Sequence, residues 1–165
     1  MTVWRLCMTR WVKTAFTGAG AAENPGRWNS LGTRIVYCAE SRALAALEIL
    51  AHVEDRADLA KAKFSVIPVE VVEDLIQKVP QLPQDWRRSP PDESTRLIGD
   101  RFVETAMHPV LKVPSAVVPG EFNYLINPAH PAFQSLKIGK AEAFCFDQRV
   151  VPSRTLRTLR EENHP

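Results

Sequence analysis

The segment Ser41–Val53 constrains the fold most, because its sequence predicts a helix that must be buried. At about 100° per residue, apolar side chains occupy nearly the whole circumference of this helix. Glu48 and His52, four residues apart, share its narrow polar seam. A helix that is apolar on almost every side lies in the interior. Glu48 therefore either reaches a solvent-facing edge or points into a cleft, and His52 is expected to make a structural hydrogen bond.

The other apolar segments predict strands and one further helix scattered along the chain. This second helix is predicted over Ser94–Ala106. Pro68 indicates an edge, a bulge or a break within the predicted strand Phe64–Val72. The pattern is typical of an α+β fold and differs from the regular alternation of a doubly wound sheet. The predicted strands are Val3–Leu6, Ile35–Ala39, Phe64–Val72, Leu111–Val118, Tyr124–Ile126 and Ala141–Phe146.

The chain has 165 residues, of which 45% are hydrophobic, and this is enough for one domain with a single core. We expect that domain to cover residues 1–150, followed by a basic tail or frayed helix over residues 151–165. The polar, Gly-rich segment Thr17–Thr33 is too irregular for a helix or a sheet. The Pro-rich segment Pro80–Pro91 is expected to be a surface loop.

Charge and composition argue against several classes of protein. The 21 Lys and Arg residues against 19 Asp and Glu residues leave a net charge of +2, which gives no electrostatic case for direct nucleic-acid binding. No apolar run approaches the ~18 residues of a membrane span. Arg5 and Arg10 interrupt the region where a signal peptide needs an apolar stretch, so a cytoplasmic location is expected. The three cysteines and four histidines lack the spacing of a disulfide framework or a metal site.

A loop at residues 24–32 places an arginine beside a tryptophan. The guanidinium of Arg27 offers a rigid fork of donors suited to phosphate, and Trp28 is a large side chain that can hold the loop to the core. The alternative is that Trp28 fills a gap while Arg27 makes a salt bridge.

Two polar residues lie within or beside apolar strands in the second half of the chain. Ser115 and Asn123 need hydrogen-bond partners there. A serine hydrolase is disfavoured, because the Gly-x-Ser-x-Gly turn is absent. His130, close to prolines on both sides, is expected to fix a turn.

Several separate blocks of this sequence resemble the RES domain family, named for its Arg, Glu and Ser. The resemblance covers about residues 3–146 in order. The matching blocks are Trp4-Arg5-Leu6, Ala15-Phe16-Thr17-Gly18-Ala19-Gly20-Ala21, Gly26-Arg27-Trp28-Asn29-Ser30, Val36-Tyr37-Cys38-Ala39-Glu40-Ser41, Leu47-Glu48-Ile49-Leu50, Val113-Pro114-Ser115, Asn123-Tyr124-Leu125-Ile126-Asn127-Pro128 and His130-Pro131.

The resemblance implies a toxin of a bacterial type II toxin–antitoxin system. It implies a single domain with mixed, largely antiparallel sheets and flanking helices, similar to the ADP-ribosyltransferase fold. The substrate would be NAD⁺, cleaved at the nicotinamide–ribose bond, with inorganic phosphate as acceptor and no metal. The partner would be an antitoxin with an Xre-type helix-turn-helix, and DNA would be reached only through that antitoxin.

The same resemblance implies roles for individual residues. The catalytic arginine, tyrosine and glutamate of the family fall on Arg27, Tyr37 and Glu48. In these roles Arg27 would hold a phosphate group, Tyr37 would border the nicotinamide, and Glu48 would stabilise the cationic sugar. The substrate-binding residues would be Trp28, Asn29, Ser115 and Asn123. We place the family's serine at Ser115, although Ser30 and Ser41 also lie in matching blocks.

Two alternatives remain open on the sequence alone. The same scaffold could transfer ADP-ribose to a protein side chain, or the chain could be a non-catalytic module that binds an antitoxin. The presence of Arg27, Tyr37 and Glu48 together argues against a decayed site.

Overall fold

The structure is a computed structural model that describes residues 1–53, 56–79 and 81–151. Their strands are β1 Thr2–Met8, β2 Val36–Ala39, β3 Phe64–Glu70, β4 Ile76–Lys78, β5 Val110–Pro114, β6 Phe122–Ile126, β7 Lys137–Ile138 and β8 Glu142–Phe144. The α-helices are α1 Ala19–Glu23, α2 Arg42–His52, α3 Arg56–Lys61 and α4 Glu93–Thr105, and 3-10 helices cover Thr9–Thr14, Glu73–Leu75 and Pro131–Ser135. Of the helices in these ranges, none is long and apolar enough to cross a membrane.

The strands of the described ranges form one mixed sheet. Their order is β4-β5-β6-β2-β1-β3-β7, and β8 pairs with β3 beside β7. The pairing of β4 with β5 is parallel, whereas the other described pairings are antiparallel. The predicted α+β fold in a single domain with a largely antiparallel sheet is therefore confirmed.

Strands β1 and β2 share the shortest pairing in the described part of the sheet. In the described structure these strands pair at one register position, Trp4 with Ala39. Beside it the carbonyl of Tyr37 accepts a hydrogen bond from Nη1 of Arg5 at 3.0 Å, so a side chain takes the place of a ladder bond. Helix α2 contacts both β1 and β2 and therefore lies across this seam.

The two faces of the sheet carry separate hydrophobic clusters. Successive residues of a strand point to opposite faces, so Tyr124 and Ile126 lie on one face and Asn123 and Leu125 on the other. Tyr124 and Ile126 join a cluster with Val3 and Val36. On the opposite face, one cluster packs α2 against the sheet and a second packs α4. The candidate site lies between these two clusters.

Several predicted elements are confirmed. The predicted helices correspond to α2 and α4. Helix α2 begins at a capping serine, since the Ser41 hydroxyl accepts a hydrogen bond from the backbone N–H of Leu44 at 3.0 Å. Pro68 falls where the partner of β3 changes, because β8 pairs with Phe64–Val66 and β7 with Val69–Glu70. Because proline has no N–H to donate, Pro68 predicts such an interruption of the pairing.

Two predictions about elements were wrong. The segment Thr17–Thr33 contains the short helix α1, whose run of small residues permits a turn of helix after Gly18 at φ +67°. The strand predicted to reach Val118 ends at Pro114, because Ser115 takes the following backbone N–H groups on its side chain. The tail predicted from residue 151 lies, beyond Val151, outside the described residues.

Candidate active site

Glu48 projects from α2 toward the sheet. Leu44 and Ala45, one turn before Glu48 and on the same side of the helix, are buried, and the half-buried carboxylate of Glu48 reaches the end of the sheet. Its Oε1 accepts hydrogen bonds from Oγ of Ser115 at 2.8 Å and from Nδ2 of Asn123 at 2.5 Å. Oε2 accepts no hydrogen bond from the described residues. One oxygen of the carboxylate is therefore fixed, and the other is available to a ligand.

Ser115 is fully buried directly after β5. Its Oγ accepts hydrogen bonds from the backbone N–H groups of Val117 at 3.1 Å and Val118 at 3.0 Å. Because a hydroxyl has two acceptor positions and one donor, these two bonds direct its proton to Glu48. The turn after β5 thus sets the orientation of the hydroxyl.

The three serines in the matching blocks have different surroundings. Ser115 contacts Glu48, whereas Ser41 caps α2. The backbone N–H of Ser30 donates to Oδ1 of Asp100 at 3.0 Å. Ser115 is the one of the three that touches the carboxylate.

Asn123 lies on β6 between Ala39 of β2 and Val113 of β5. It is 8% exposed, and on an otherwise apolar strand its amide requires a partner. Its Nδ2 donates to Glu48. Strand β6, through Asn123, and the turn after β5, through Ser115, therefore hold the same carboxylate oxygen.

Tyr37 extends from β2 to the loop that carries Arg27. Its hydroxyl donates to Oδ1 of Asn29 at 2.7 Å and accepts from the backbone N–H of Trp28 at 3.3 Å. Burial raises the pKa of Tyr37 well above its usual range, and the hydrogen bond from Trp28 opposes this only in part. The phenol is neutral and oriented at physiological pH.

Asn29 is completely buried, and protein groups use all its polar positions. Its Nδ2 donates to the carbonyls of Ala21 at 2.7 Å and Ser30 at 3.1 Å. Its Oδ1 accepts from Tyr37 and from the backbone N–H of Gly26 at 3.1 Å. Direct substrate contact by Asn29 stays a prediction, and the described contacts are those of a residue that positions Tyr37 and the loop.

Trp28 is 2% exposed and packs with Phe102 and Leu125 in the α4 cluster. Its ring stacks on that of Trp86, with centroids 6.0 Å apart. These contacts correspond to the core-holding role that the sequence indicates for Trp28. Contact between its side chain and a substrate stays a prediction.

Arg27 lies on the same loop with its side chain half-buried. Its Nη1 donates to the carbonyls of Trp86 at 2.5 Å and Arg88 at 3.0 Å. Burial lowers the pKa of Arg27, while the neighbouring Glu48 and Tyr37 act in the opposite direction. The guanidinium, the phenol and the carboxylate therefore belong to one electrostatic environment, and the Pro-rich segment contributes to it.

Helix α4 holds the loop from its outer side. A Cβ added at Gly99 would lie 1.7 Å from the carbonyl oxygen of Trp28, so the helix and loop backbones touch. Partial burial raises the pKa of Asp100. Hydrogen bonds from Ser30 and Thr33, together with the charge of Arg96, outweigh this effect and hold the pKa below its usual value. The loop that carries Arg27 is firmly fixed.

Both histidines singled out in the sequence make structural hydrogen bonds. Nδ1 of His52 lies 2.6 Å from the carbonyl of Glu48. His130 accepts from the backbone N–H of Ala132 at 3.0 Å on Nδ1 and bonds the carbonyl of Ala106 at 2.9 Å through Nε2. The predictions for both residues are confirmed. In the described ranges no cluster of His, Cys, Asp or Glu could hold a metal ion.

A shallow cavity of about 460 Å³ lies on the outer side of the loop. Its lining includes Arg34, Asp100 and Glu104 but none of Arg27, Tyr37, Glu48, Ser115 and Asn123. We place the site by the convergence of polar side chains, because the charges of opposite sign around this cavity select no particular ligand.

The arrangement can stabilise a cation next to a bound anion. A half-buried carboxylate with one free oxygen favours positive charge that develops beside it. A guanidinium in the same environment suits a phosphate group.

Comparisons with known proteins agree with this geometry. The model of the RES domain family matches residues 2–147. The chain is 35% identical over 151 residues to "Toxin Res" of Yersinia enterocolitica, a match that covers 91% of this chain and 99% of that protein. It is 37% identical over 139 residues to the "Prs ADP-ribosylating toxin" of Sphingobium sp., covering 82% and 86% of the two chains.

The fold is similar to that of a chain in the crystal structure of the MbcT–MbcA toxin–antitoxin complex of M. tuberculosis. The TM-score is 0.66 at 17% sequence identity, over 87% of this chain and 84% of that one. At this identity the likeness concerns the fold.

Proposed function

This chain belongs to the RES domain family, and from that membership we propose that it is the toxin of a toxin–antitoxin pair that depletes NAD⁺. The observation that carries the proposal is the carboxylate of Glu48, whose Oε1 is bound by Ser115 and Asn123 and whose Oε2 accepts no hydrogen bond within residues 1–53, 56–79 and 81–151. The names of the relatives support a toxin, and the one named as ADP-ribosylating supports chemistry on NAD⁺.

The reaction breaks the bond between the anomeric carbon of ribose and the nicotinamide nitrogen. The bonding electrons leave with nicotinamide, which departs as a neutral molecule, so no strong general acid is required. The cost lies in the oxocarbenium-like sugar, as in glycoside hydrolysis. A carboxylate that is already fixed stabilises this cation more than the ground state, and such a difference accelerates the step.

The neighbouring residues bind and orient the reactants. Arg27 holds an oxyanion, Tyr37 borders the nicotinamide ring, and Ser115 and Asn123 position Glu48. The acceptor is inorganic phosphate, whose oxygen bonds to the anomeric carbon as nicotinamide leaves, so that the product is ADP-ribose 1″-phosphate.

A second candidate is transfer of ADP-ribose to a protein. The observation that favours it is the relative named as a Prs ADP-ribosylating toxin. In that reaction a side chain of the target replaces phosphate as nucleophile, while the carbon–nitrogen bond breaks in the same way. Phosphate dependence separates the two reactions, because only the first consumes phosphate.

The partner in this proposal is an antitoxin with an Xre-type helix-turn-helix. An enzyme that consumes NAD⁺ in the cytoplasm has to be restrained in its own cell, and the neighbour of similar fold comes from a toxin–antitoxin complex. The chain's net charge of +2 supports contact with DNA through the antitoxin alone.

The first prediction concerns nicotinamide release from NAD⁺ by the purified protein, with and without phosphate. We expect phosphate-dependent release by the wild type and a loss of about 10²–10³ in rate for Glu48→Gln, by comparison with removal of one preorganised group. Glu104→Gln, an exposed change on α4, is the matched control and should retain the wild-type rate.

Three results would each contradict a part of this proposal. The assignment of Glu48 is rejected if Glu48→Gln releases nicotinamide at the wild-type rate. Transfer of label from NAD⁺ to a protein indicates the second candidate. Binding of an antitoxin without any loss of NAD⁺ indicates a non-catalytic module.

A further inference from the structure

The segment 81–91 contacts the candidate site through its main chain. Two turns shape it, closed by hydrogen bonds from the N–H of Trp86 to the carbonyl of Pro83 and from the N–H of Arg88 to the carbonyl of Asp85. They place the carbonyls of residues 86 and 88 on the guanidinium of Arg27. A segment 59 residues away in sequence from Arg27 therefore supplies its hydrogen-bond acceptors.

Both contacts go to the same nitrogen of Arg27. Nη1 carries two N–H groups, and the carbonyls of Trp86 and Arg88 account for both. The edge formed by Nε and Nη2 makes no hydrogen bond to the residues that the structure describes. A guanidinium edge of this kind donates two parallel hydrogen bonds to a carboxylate or phosphate.

Trp86 fastens this segment to the core. Its half-buried ring stacks on Trp28, the residue after Arg27, with an interplanar angle of 29°. Trp28 is in turn buried beside α4. The stack therefore ties the two carbonyls to the same loop that carries the guanidinium.

We propose that the segment 81–91 is a positioning element for Arg27, which holds one edge of the guanidinium so that the opposite edge receives the oxygens of a phosphate group. This inference rests on the proposed function, in which that group belongs to the pyrophosphate of NAD⁺ or to inorganic phosphate. Trp86 acts through the main chain and is a positioning residue. The exposed side chains of Arg87 and Arg88 are not required for this effect.

The test measures binding separately from turnover, by calorimetric titration with ADP-ribose and with inorganic phosphate. In Trp86→Ala the arginine side chain has to be ordered at the moment of binding, so we expect Kd to rise by about threefold to tenfold. The ligand whose Kd rises identifies which phosphate the free edge takes. Trp86→Phe retains a stacked ring and should restore most of the affinity.

Controls separate the main-chain contact from the charge of the segment. Gln84→Ala, an exposed change in the same segment, should leave Kd unchanged. Arg88→Ala removes a charge but leaves the carbonyl, and should change Kd by less than the Trp86→Ala substitution. Circular dichroism establishes that each variant is folded, and Trp86→Leu replaces Trp86→Ala if the latter does not fold.

Different results overturn this inference and the proposed function. Equal Kd values for wild type and Trp86→Ala with both ligands, a larger loss in Arg88→Ala, or no binding of either ligand by the wild type would overturn the positioning role. A wild type that binds ADP-ribose in a Trp86-dependent manner but releases no nicotinamide would overturn the proposed function and leave the positioning role supported. In an active enzyme, Trp86→Ala should raise KM for NAD⁺ while kcat changes little.

Discussion

At the residue scale, the carboxylate of Glu48 is held on one side by groups whose orientation is itself determined by the backbone. The proton of Ser115 points to Glu48 because the N–H groups of Val117 and Val118 occupy the other positions of the hydroxyl. The position of the carboxylate thus depends on the turn after β5 as well as on α2. Substitution of Ser115 should consequently affect both activity and stability.

The second prediction concerns Ser115→Ala. The change removes the acceptor of two partly buried N–H groups, those of Val117 and Val118, and a donor left unsatisfied away from water costs about 1–3 kcal/mol. We expect a lower free energy of unfolding in urea, together with a decrease in kcat. Ser135→Ala, an exposed change at the end of the 3-10 helix Pro131–Ser135, serves as the control. A variant with wild-type stability would show that the turn does not depend on the hydroxyl.

Residue types in the site could be predicted, but not their individual partners. The catalytic roles of Arg27, Tyr37 and Glu48 stay predictions from the resemblance, whereas the need of Ser115 and Asn123 for partners follows from their apolar surroundings. Asn29 shows the limit of this reasoning. Its amide is as suitable for a substrate as for a neighbouring phenol, and only the tertiary structure decides that Tyr37 and three backbone groups occupy it.

At the scale of elements, the contact between α4 and the loop carrying Arg27 depends on the absence of one side chain. The third prediction is that Gly99→Ala lowers the free energy of unfolding by at least about 1–3 kcal/mol, as overpacking does, since the added Cβ would meet the carbonyl of Trp28 at 1.7 Å. Nicotinamide release should fall as well, because the loop has to move. Urea unfolding and the release assay measure the two effects.

Gly20→Ala is the matched control for this substitution. Gly20 lies in α1, and an added Cβ there meets nothing within 4 Å. An alanine in a helix is favoured over glycine by about 0.5–1 kcal/mol, so this variant should be as stable as the wild type or more so. Equal stability of Gly99→Ala and Gly20→Ala would exclude close packing between α4 and the loop.

Long amphipathic or apolar elements were predictable, whereas short elements were not. Helix α2 is recognisable from its apolar circumference and from Ser41. Strand β4 consists of three residues and pairs in parallel with β5, and nothing in its local sequence indicates a partner more than thirty residues away. The contacts of the segment 81–91 with Arg27 were not predictable either, because backbone carbonyls make them and a carbonyl leaves no pattern of side chains in the sequence.

At the scale of the whole molecule, the two tyrosines of the chain lie on opposite faces of the sheet. Tyr37 lies on the face with the candidate site and Tyr124 on the other. Burial raises the pKa of each, and for Tyr124 the charges of Glu40 and Glu73 act in the same direction. The folded protein therefore disfavours the ionised form of both residues.

The fourth prediction follows from the direction of these shifts. Because the pKa of each tyrosine is higher in the folded than in the unfolded state, the stabilisation is fully present below the unfolded value of about 10 and is lost as pH rises above it. The free energy of unfolding should fall above pH 10. Absorbance of tyrosinate should appear near pH 10 in the unfolded chain but at higher pH in the native protein.

Variants assign this signal to the two residues. Tyr37→Phe and Tyr124→Phe should each remove about half of the tyrosinate absorbance of the unfolded chain. Tyrosinate absorbance near pH 10 in a sample with native circular dichroism would contradict burial of at least one phenol.

The single paired position between β1 and β2 has a consequence for how the molecule can deform. It leaves the sheet as two half-sheets joined by a narrow hinge, one formed by β4, β5, β6 and β2 and the other by β1, β3, β7 and β8. Helix α2 bridges the hinge and carries Glu48, whereas Ser115, Asn123 and Tyr37 move with the first half. Because Ala39 pairs with Asn123 as well as with Trp4, any displacement of one half-sheet against the other is passed directly to the amide that holds Glu48.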